Sequence, residues 1–150
     1  MTDNANIADN IRELIKTCRD GEKGYREAIE HAKDPLLKTR FQQISAERGR
    51  FADDLERQVA SFGDIPKSDE GHVVAALHRA WIDVKDSLGG GDHAVLAWLE
   101  QGDDYAKGKY QDALKENLPQ GVMSLVQRQY QSILSDHNEI KTLRDARKAA

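Results

Sequence analysis

Apolar residues recur along this chain every three or four positions, and this helical spacing constrains the fold more than any other feature of the sequence. Such steps place the residues on one face of an α-helix, which must then be buried against other helices. Two long stripes of this kind occupy the first half of the chain: Ile7, Ile11, Leu14, Ile15, Cys18, Tyr25, Ala28, Ile29 and Ala32, followed by Leu37, Phe41, Ile44, Phe51, Leu55, Val59 and Phe62.

The boundary between these stripes carries strong signals for a helix end and a new helix start. The first helix is expected to end near Lys33, because Asp34 can cap the next helix and Pro35 fits its first turn, where no N–H donor is needed. Gly63 suits the left-handed C-terminal cap that would end the second helix. Two long helices joined by so few residues must pack as an antiparallel hairpin.

The second half of the chain predicts another helical hairpin. Asp92 is expected to cap a helix after the break at Gly89-Gly90-Gly91, and Asn117-Leu118-Pro119 forms the corner before the last helix. The stripe of the third long helix is Val95, Trp98, Leu99, Gly102, Tyr105, Ala106 and Ala113, and that of the fourth is Val122, Leu125, Val126, Gln129, Ile133, His137, Ile140 and Leu143.

A long crossover separates the two hairpins. Residues 63–71 read as a loop, and a short helix is expected to carry Val73, Val74, Leu77, Trp81, Val84 and Leu88. No segment shows the period-two alternation of a half-buried strand. The sequence therefore predicts an all-α, ferritin-like four-helix bundle with a long crossover containing a short extra helix, formed by residues 1–150 as a single domain.

Composition narrows the class of protein. The 22 Lys and Arg residues against 26 Asp and Glu residues leave a net charge of −4, which argues against nucleic acid as a partner. A single cysteine excludes an internal disulfide framework. The longest stretch without charged residues, 117–127, is about half of the ~20 residues that a membrane span needs, and the first residues do not resemble a signal peptide. We therefore expect a soluble, cytoplasmic protein without a membrane partner.

Metal ligation deserves a direct test, because di-metal bundles use a Glu from each of two helices and a Glu-x-x-His pair from each of the other two. None of the five histidines has a Glu three positions earlier. What remains is a partial set of candidate ligands. Measured from the predicted turns, Glu22 and Glu47 lie level in the first hairpin, and Glu100 and His137 lie level in the second.

Each of these residues also has a structural interpretation. Glu22 and Glu47 would then pair with Arg48 or Arg50 at the edge of the core, and His137 would be a hydrogen-bonded core residue. The run Glu100, Asp103 and Asp104 would form a solvated acidic face. Cys18 would act as a small buried hydrophobe, and the aromatic residues Tyr25, Trp81, Trp98, Tyr105 and Tyr130 would serve packing.

Nearly the whole chain resembles a bacterial family of ferritin-like four-helix-bundle proteins of unknown function. The resemblance is carried by residues 20–28 (DGEKGYREA), 33–38 (KDPLLK), 76–85 (ALHRAWIDVK) and 114–119 (LKENLP), and by Asp136-His137. It implies a bundle with a crossover helix and no established reaction. Within the wider superfamily, the positions that match metal ligands are Glu22, Glu47, Glu100 and His137, whereas Arg50 and Leu134 depart from the ligand pattern.

The sequence combines a clear four-helix-bundle pattern with an incomplete set of metal ligands, and this combination suggests two functions. The first is a non-catalytic bundle that acts through association with itself, as a homo-oligomer, or with a protein partner, under stress, and that requires no cofactor. The alternative is a protein that binds Fe, Mn or Zn, or a metal-dependent redox protein, using Glu22, Glu47, Glu100 and His137 as ligands.

Overall fold

A computed structural model describes residues 2–61, 79, 81–83, 85 and 89–147, with side chains from Asn6 onward. The described residues form four long helices: α1 (Thr2–His31), α2 (Pro35–Ala60), α3 (Asp92–Leu114) and α4 (Gln120–Ala146). The residues so described include no β-strand, which confirms the all-α prediction. No helix among them is long and apolar enough to cross a membrane.

The turn between α1 and α2 forms as the sequence predicts. The Asp34 carboxylate accepts a hydrogen bond of 2.9 Å from the backbone N–H of Leu36, and Pro35 is the first helical residue. Helix α2 ends at Ala60, where the backbone N–H of Ser61 turns back to the carbonyls of Gln58 and Val59. Gly63, the predicted cap, lies outside the described residues.

Asp92 has a different role from the predicted one. The N-cap of α3 is Gly91, without a side-chain hydrogen bond, and Asp92 is the first helical residue. Its two carboxylate oxygens accept from the backbone N–H groups of Lys33, at 2.7 Å, and Asp34, at 3.1 Å. The expectation that Asp92 caps its own helix is therefore wrong, because its side chain binds the turn between the first two helices.

These contacts determine the topology. Asp92 places the start of α3 beside the start of α2, whose 26 residues extend about 39 Å. The chain must therefore travel back along the whole bundle between the end of α2 and the start of α3, which confirms the long crossover. Helix α1 packs against α2 and α3, and α4 packs against α3 and α2.

The crossover is described only in part. Residues 79, 81–83 and 85 are helical, in agreement with the predicted short helix. The rest of that helix and the predicted loop at 63–71 lie outside the described residues. Trp81 is buried; its ring stacks on His31 at 4.5 Å between centroids and lies 5.4 Å from the Trp98 ring. Through Trp81 the crossover contributes to the core.

The apolar core consists of two clusters, one toward each end of the bundle. One extends along all four helices from the α3–α4 corner and includes Ile11, Leu55 and Val126. The other lies toward the α1–α2 turn and includes Phe41 and Trp98. Between them, near the middle of the helices, the interior is polar.

The contact of Asp92 with the opposite turn yields a first prediction. Replacing Asp92 by Ala removes the acceptor of two backbone N–H groups, so we expect the free energy of unfolding to fall by about 1–2 kcal/mol. Urea denaturation followed by circular dichroism measures this loss. Asp112→Ala, an exposed position on the same helix, is the matched control. Equal stability of the two variants would contradict the role given to Asp92.

Candidate functional site

A buried arginine occupies the middle of the bundle. The Arg48 side chain, on α2, is 1% exposed and extends toward α3 and α4. Its Nη1 donates to Asp103 Oδ1 at 2.9 Å, and its Nη2 donates to Asp136 Oδ2 at 3.3 Å. Three helices thus contribute one charged residue each to a single ion-paired group in the interior.

Helix α1 completes this group without adding a charge. The Tyr25 hydroxyl donates to the second oxygen of Asp103 at 2.6 Å, and the Arg48 guanidinium lies 5.4 Å from the centroid of the Tyr25 ring. Gly21 makes room for the arginine, since a Cβ at that position would lie 3.1 Å from Arg48 Nη1. We call Tyr25, Arg48, Asp103 and Asp136 the central polar layer.

The electrostatics of this layer follow from burial and pairing. Burial opposes the charge of Arg48, but Asp103, Tyr25 and Asp136 hold its pKa above the usual value. Burial, together with the nearby Asp103, raises the pKa of the Tyr25 hydroxyl. The phenol therefore stays protonated and remains a hydrogen-bond donor to Asp103.

Asp136 lies at the outer edge of the central polar layer. Arg40 approaches its other oxygen, Oδ1, at 3.3 Å and also holds Glu139 at 2.7 Å. Burial raises the pKa of Asp136 to about 7; the attraction of Arg48 opposes this rise, and the negative charges of Glu47 and Asp103 add to it. The carboxyl can therefore take up a proton near neutral pH.

A second polar connection lies nearer the α3–α4 corner. Tyr110 donates its hydroxyl proton to Gln129 Oε1 at 2.6 Å and lies 3.0 Å from Cys18 Sγ, while Gln129 Nε2 donates to the Phe51 carbonyl at 3.2 Å. Burial raises the pKa of the Cys18 thiol to about 11. The thiol is thus protonated and poorly nucleophilic, consistent with the expected packing role.

The residues at the centre do not fit the di-metal site that a ferritin-like bundle implies. A guanidinium cannot ligate a metal. The two carboxylates that reach the centre, Asp103 and Asp136, both point their oxygens at Arg48. A cation there would have to displace a buried positive charge, so we assign no metal chemistry to the central polar layer.

The first two predicted ligands lie outside this layer. Glu22 pairs with Arg19 at 3.2 Å and Arg26 at 3.3 Å, so the expected pairing of Glu22 with Arg48 or Arg50 is wrong. Arg48 turns instead to the opposite hairpin. Glu47 is half-buried on α2, on the side facing Asp136 and Arg40.

The other two predicted ligands come together at the contact between α3 and α4. One ligand atom from each of Glu100, Asp104 and His137 lies within 4.8 Å of the others. His137 Nε2 is 2.6 Å from Asp104 Oδ1, and Glu100 pairs with Arg144 at 2.7 Å. The expected solvated acidic face is only partly present: Asp104 is exposed, but Asp103 is buried in the central polar layer.

The sequence does contain a pattern that indicates the central polar layer, but the apolar stripes around it are more conspicuous. Arg48 follows Ile44 by one helical turn, and Asp103 and Asp136 likewise occupy positions three or four residues from members of their stripes. A charged residue on the apolar stripe of each of three helices, with the signs nearly balanced, indicates mutual pairing inside the bundle.

Known proteins with a similar sequence or structure agree with this architecture. Residues 6–116 match a protein family described as "Domain of unknown function (DUF2383)". The chain belongs to this family. A solved structure of a Mycobacterium smegmatis Dps1 mutant is similar to it with a TM-score of 0.78 and 13% sequence identity, covering 95% of this chain and 97% of that one. No curated protein matches. The predicted ferritin-like helical bundle is thereby confirmed.

The central polar layer yields a second prediction. Arg48→Ala would leave the buried Asp103 carboxylate without a cation and Asp136 with Arg40 alone, and we expect the free energy of unfolding to fall by about 3–5 kcal/mol. Arg50→Ala, two residues further along the same helix and exposed, should change it by less than about 0.5 kcal/mol. Urea unfolding of both variants provides the comparison. Similar losses would mean that the ion pairs do not hold the interior together.

The raised pKa of Asp136 yields a third prediction. An ordinary Asp titrates near pH 3.9, so between about pH 4 and pH 7 the folded state binds more protons at Asp136 than the unfolded state does. This residue therefore makes the protein more stable as the pH falls through that window, and its destabilising effect is complete above about pH 7.

The isosteric variant Asp136→Asn isolates this effect from other titrating groups. The stability of the variant relative to wild type should be highest above about pH 7 and should decline toward about pH 4. Urea unfolding at several pH values measures the difference, with Asp112→Asn as the control. A difference that does not vary with pH would show that Asp136 titrates normally in the folded protein.

Proposed function

We propose that this protein is a non-catalytic ferritin-like bundle that acts through association with itself or with another protein. The observation that carries the proposal is the ion-paired Arg48 at the centre of the bundle. In a four-helix bundle, ligand and metal sites are built in the core from inward-facing side chains. Here those side chains pair with one another, which leaves the outer surfaces as the place for interaction.

The outer surface carries apolar groups that support this proposal. Leu36, in the first turn of α2, is 79% exposed. Tyr105, on α3, is 55% exposed, although the sequence predicted a packing role for it, and Lys109 lies 5.4 Å from the centroid of its ring. The expectation for Tyr105 is wrong because the α3 side chains that pack inside are its neighbours Asp103 and Ala106. An exposed tyrosine is an available anchor for a protein contact, and Leu36 adds exposed apolar surface.

We place the protein in the cytoplasm, with a role under stress and without nucleic acid or membrane as partner, as part of the same proposal. The net charge of −4 disfavours binding to phosphate backbones. The single cysteine, Cys18, is buried among apolar residues and takes no part in a disulfide. The same proposal includes a bacterial origin, which is inferred from the resemblance of the sequence to a bacterial family.

Light scattering coupled to size-exclusion chromatography tests self-association. We expect a species larger than one chain across a wide concentration range, and we expect Leu36→Glu or Tyr105→Glu to reduce its mass. Arg50→Glu is the control, because Arg50 is exposed but not apolar. A strict monomer at every concentration that also captures no specific partner would contradict the proposal.

The alternative function, binding of Fe, Mn or Zn, has one specific observation in its favour. Of the four predicted ligands, Glu100 and His137 share one group with Asp104, and Glu22 and Glu47 are not part of that group. Elemental analysis of protein purified without affinity tag or chelator tests this alternative for the predicted set as a whole. Stoichiometric metal in the wild type that is absent from Glu47→Ala would support a metal site formed by all four predicted ligands.

A further inference from the structure

The cluster between α3 and α4 has the chemistry of a small metal site separate from the central polar layer. Glu100 and Asp104 are four residues apart on α3, so their side chains lie on the same face one turn apart. His137 reaches that face from α4, the antiparallel partner of α3. The three side chains approach closely enough for one atom of each to lie within 4.8 Å of the others.

The orientation of His137 is an independent indication that the cluster receives a ligand. The residue is 8% exposed, and its buried Nε2 has no hydrogen-bond partner. Asp104 Oδ1 lies 2.6 Å away, but not in the direction that a hydrogen bond requires. Glu100 Oε2 is also buried, but it lies 2.7 Å from Arg144 Nη1 in an ion pair. A buried imidazole nitrogen without a hydrogen bond is rare and needs an explanation.

The contact between His137 and Asp104 requires a positive group between the two atoms. His137 Nε2 lies 2.6 Å from Asp104 Oδ1, too close for a nitrogen lone pair to face a carboxylate unless a proton or a cation lies between them. A metal on Nε2 would leave the ring proton on Nδ1, which lies 3.5 Å from the Asn138 side-chain oxygen and can donate only a weak hydrogen bond at that distance. Metal-ligating histidines commonly hold their second nitrogen in this way.

We propose that Glu100, Asp104 and His137 form a site for a divalent transition metal of the Zn²⁺ type. One imidazole and two carboxylates are ligands that Zn²⁺ accepts, and three protein ligands leave a fourth position for water. Zn–N and Zn–O bonds of about 2.0–2.2 Å put tetrahedral ligand atoms about 3.4 Å apart. The separation of 2.6 Å between His137 Nε2 and Asp104 Oδ1 is shorter than that value and no separation in the group exceeds 4.8 Å, so rotation of the exposed Asp104 side chain can adjust the spacing.

Arg144 competes with the metal for one of these ligands. Its Nη1 donates to Glu100 Oε1 at 2.8 Å and lies 2.7 Å from Oε2, while its Nη2 pairs with Asp145 at 2.8 Å. The guanidinium neutralises Glu100 when no metal is bound, and it must move aside for bidentate ligation. Removing Arg144 should therefore strengthen metal binding, whereas removing a structural ion pair would have no such effect.

Calorimetric titration of the untagged full chain with Zn²⁺, in a buffer that does not chelate, tests this site. We expect one Zn²⁺ per chain in the wild type. The affinity for Zn²⁺ should fall about tenfold or more in Asp104→Asn and in His137→Gln, because each variant loses a ligand. It should rise about two- to fivefold in Arg144→Gln, because a partly exposed positive charge is removed.

Control variants separate this site from others. Asp112→Asn, another exposed Asp of α3, and His93→Gln, a histidine outside the cluster, should bind Zn²⁺ as the wild type does. Circular dichroism verifies that each variant is folded. Asp104 is exposed, so its variant remains informative even if His137→Gln does not fold. Co²⁺ absorption in the visible range reports whether nitrogen and oxygen ligands surround the ion.

Three results would overturn the proposal. The first is the absence of Zn²⁺ binding to the wild type at millimolar concentration, which would reduce the cluster to a His137–Asp104 ion pair. The second is wild-type affinity in Asp104→Asn, and the third is a loss of affinity in Arg144→Gln. None of these results depends on the oligomeric state, so the metal site and the proposed association can fail separately.

Discussion

The structure depends on one interaction: the pairing of the buried Arg48 guanidinium with Asp103 and Asp136. A charged group in the interior is tolerated only where opposite charges meet it in good geometry. Each of these residues comes from a different helix, so the requirement acts on α2, α3 and α4 together. A one-turn shift of α2 would separate Arg48 from both carboxylates, and a one-turn shift of α3 or α4 would separate it from one of them.

This requirement explains the division of the apolar core into two clusters. Apolar contacts are non-directional, and helices lined with Leu, Ile and Val could slide past each other at little cost. The central polar layer lies between the clusters and favours a single register for both. A buried ion pair contributes little net stability compared with well-packed apolar residues. We therefore interpret its contribution here as specificity of packing more than as free energy of folding.

Local patterns were sufficient to predict the helices but not the long-range polar contacts. The stripes, Asp34-Pro35 and the glycine break are short-range signals, and the helices follow them within a few residues. The sequence predicts that Asp92 caps its own helix, because a cap is a contact between near neighbours, whereas its partners are the N–H groups of Lys33 and Asp34. For the same reason the sequence predicts carboxylates of its own hairpin as the partners of Arg48.

Asp136 and His137 show how adjacent residues on one helix can serve different purposes. Successive side chains of an α-helix are about 100° apart. The Asp136 side chain therefore faces Arg48 at the centre while His137 faces Glu100 and Asp104 on α3. Arg48 already pairs with the carboxylates at the centre of the bundle. The carboxylates that can still attract a cation, those of Glu100 and Asp104, therefore lie at the edge of the bundle, where α3 contacts α4. The closed interior and the proposed site at the α3–α4 contact thus follow from the same placement of charge.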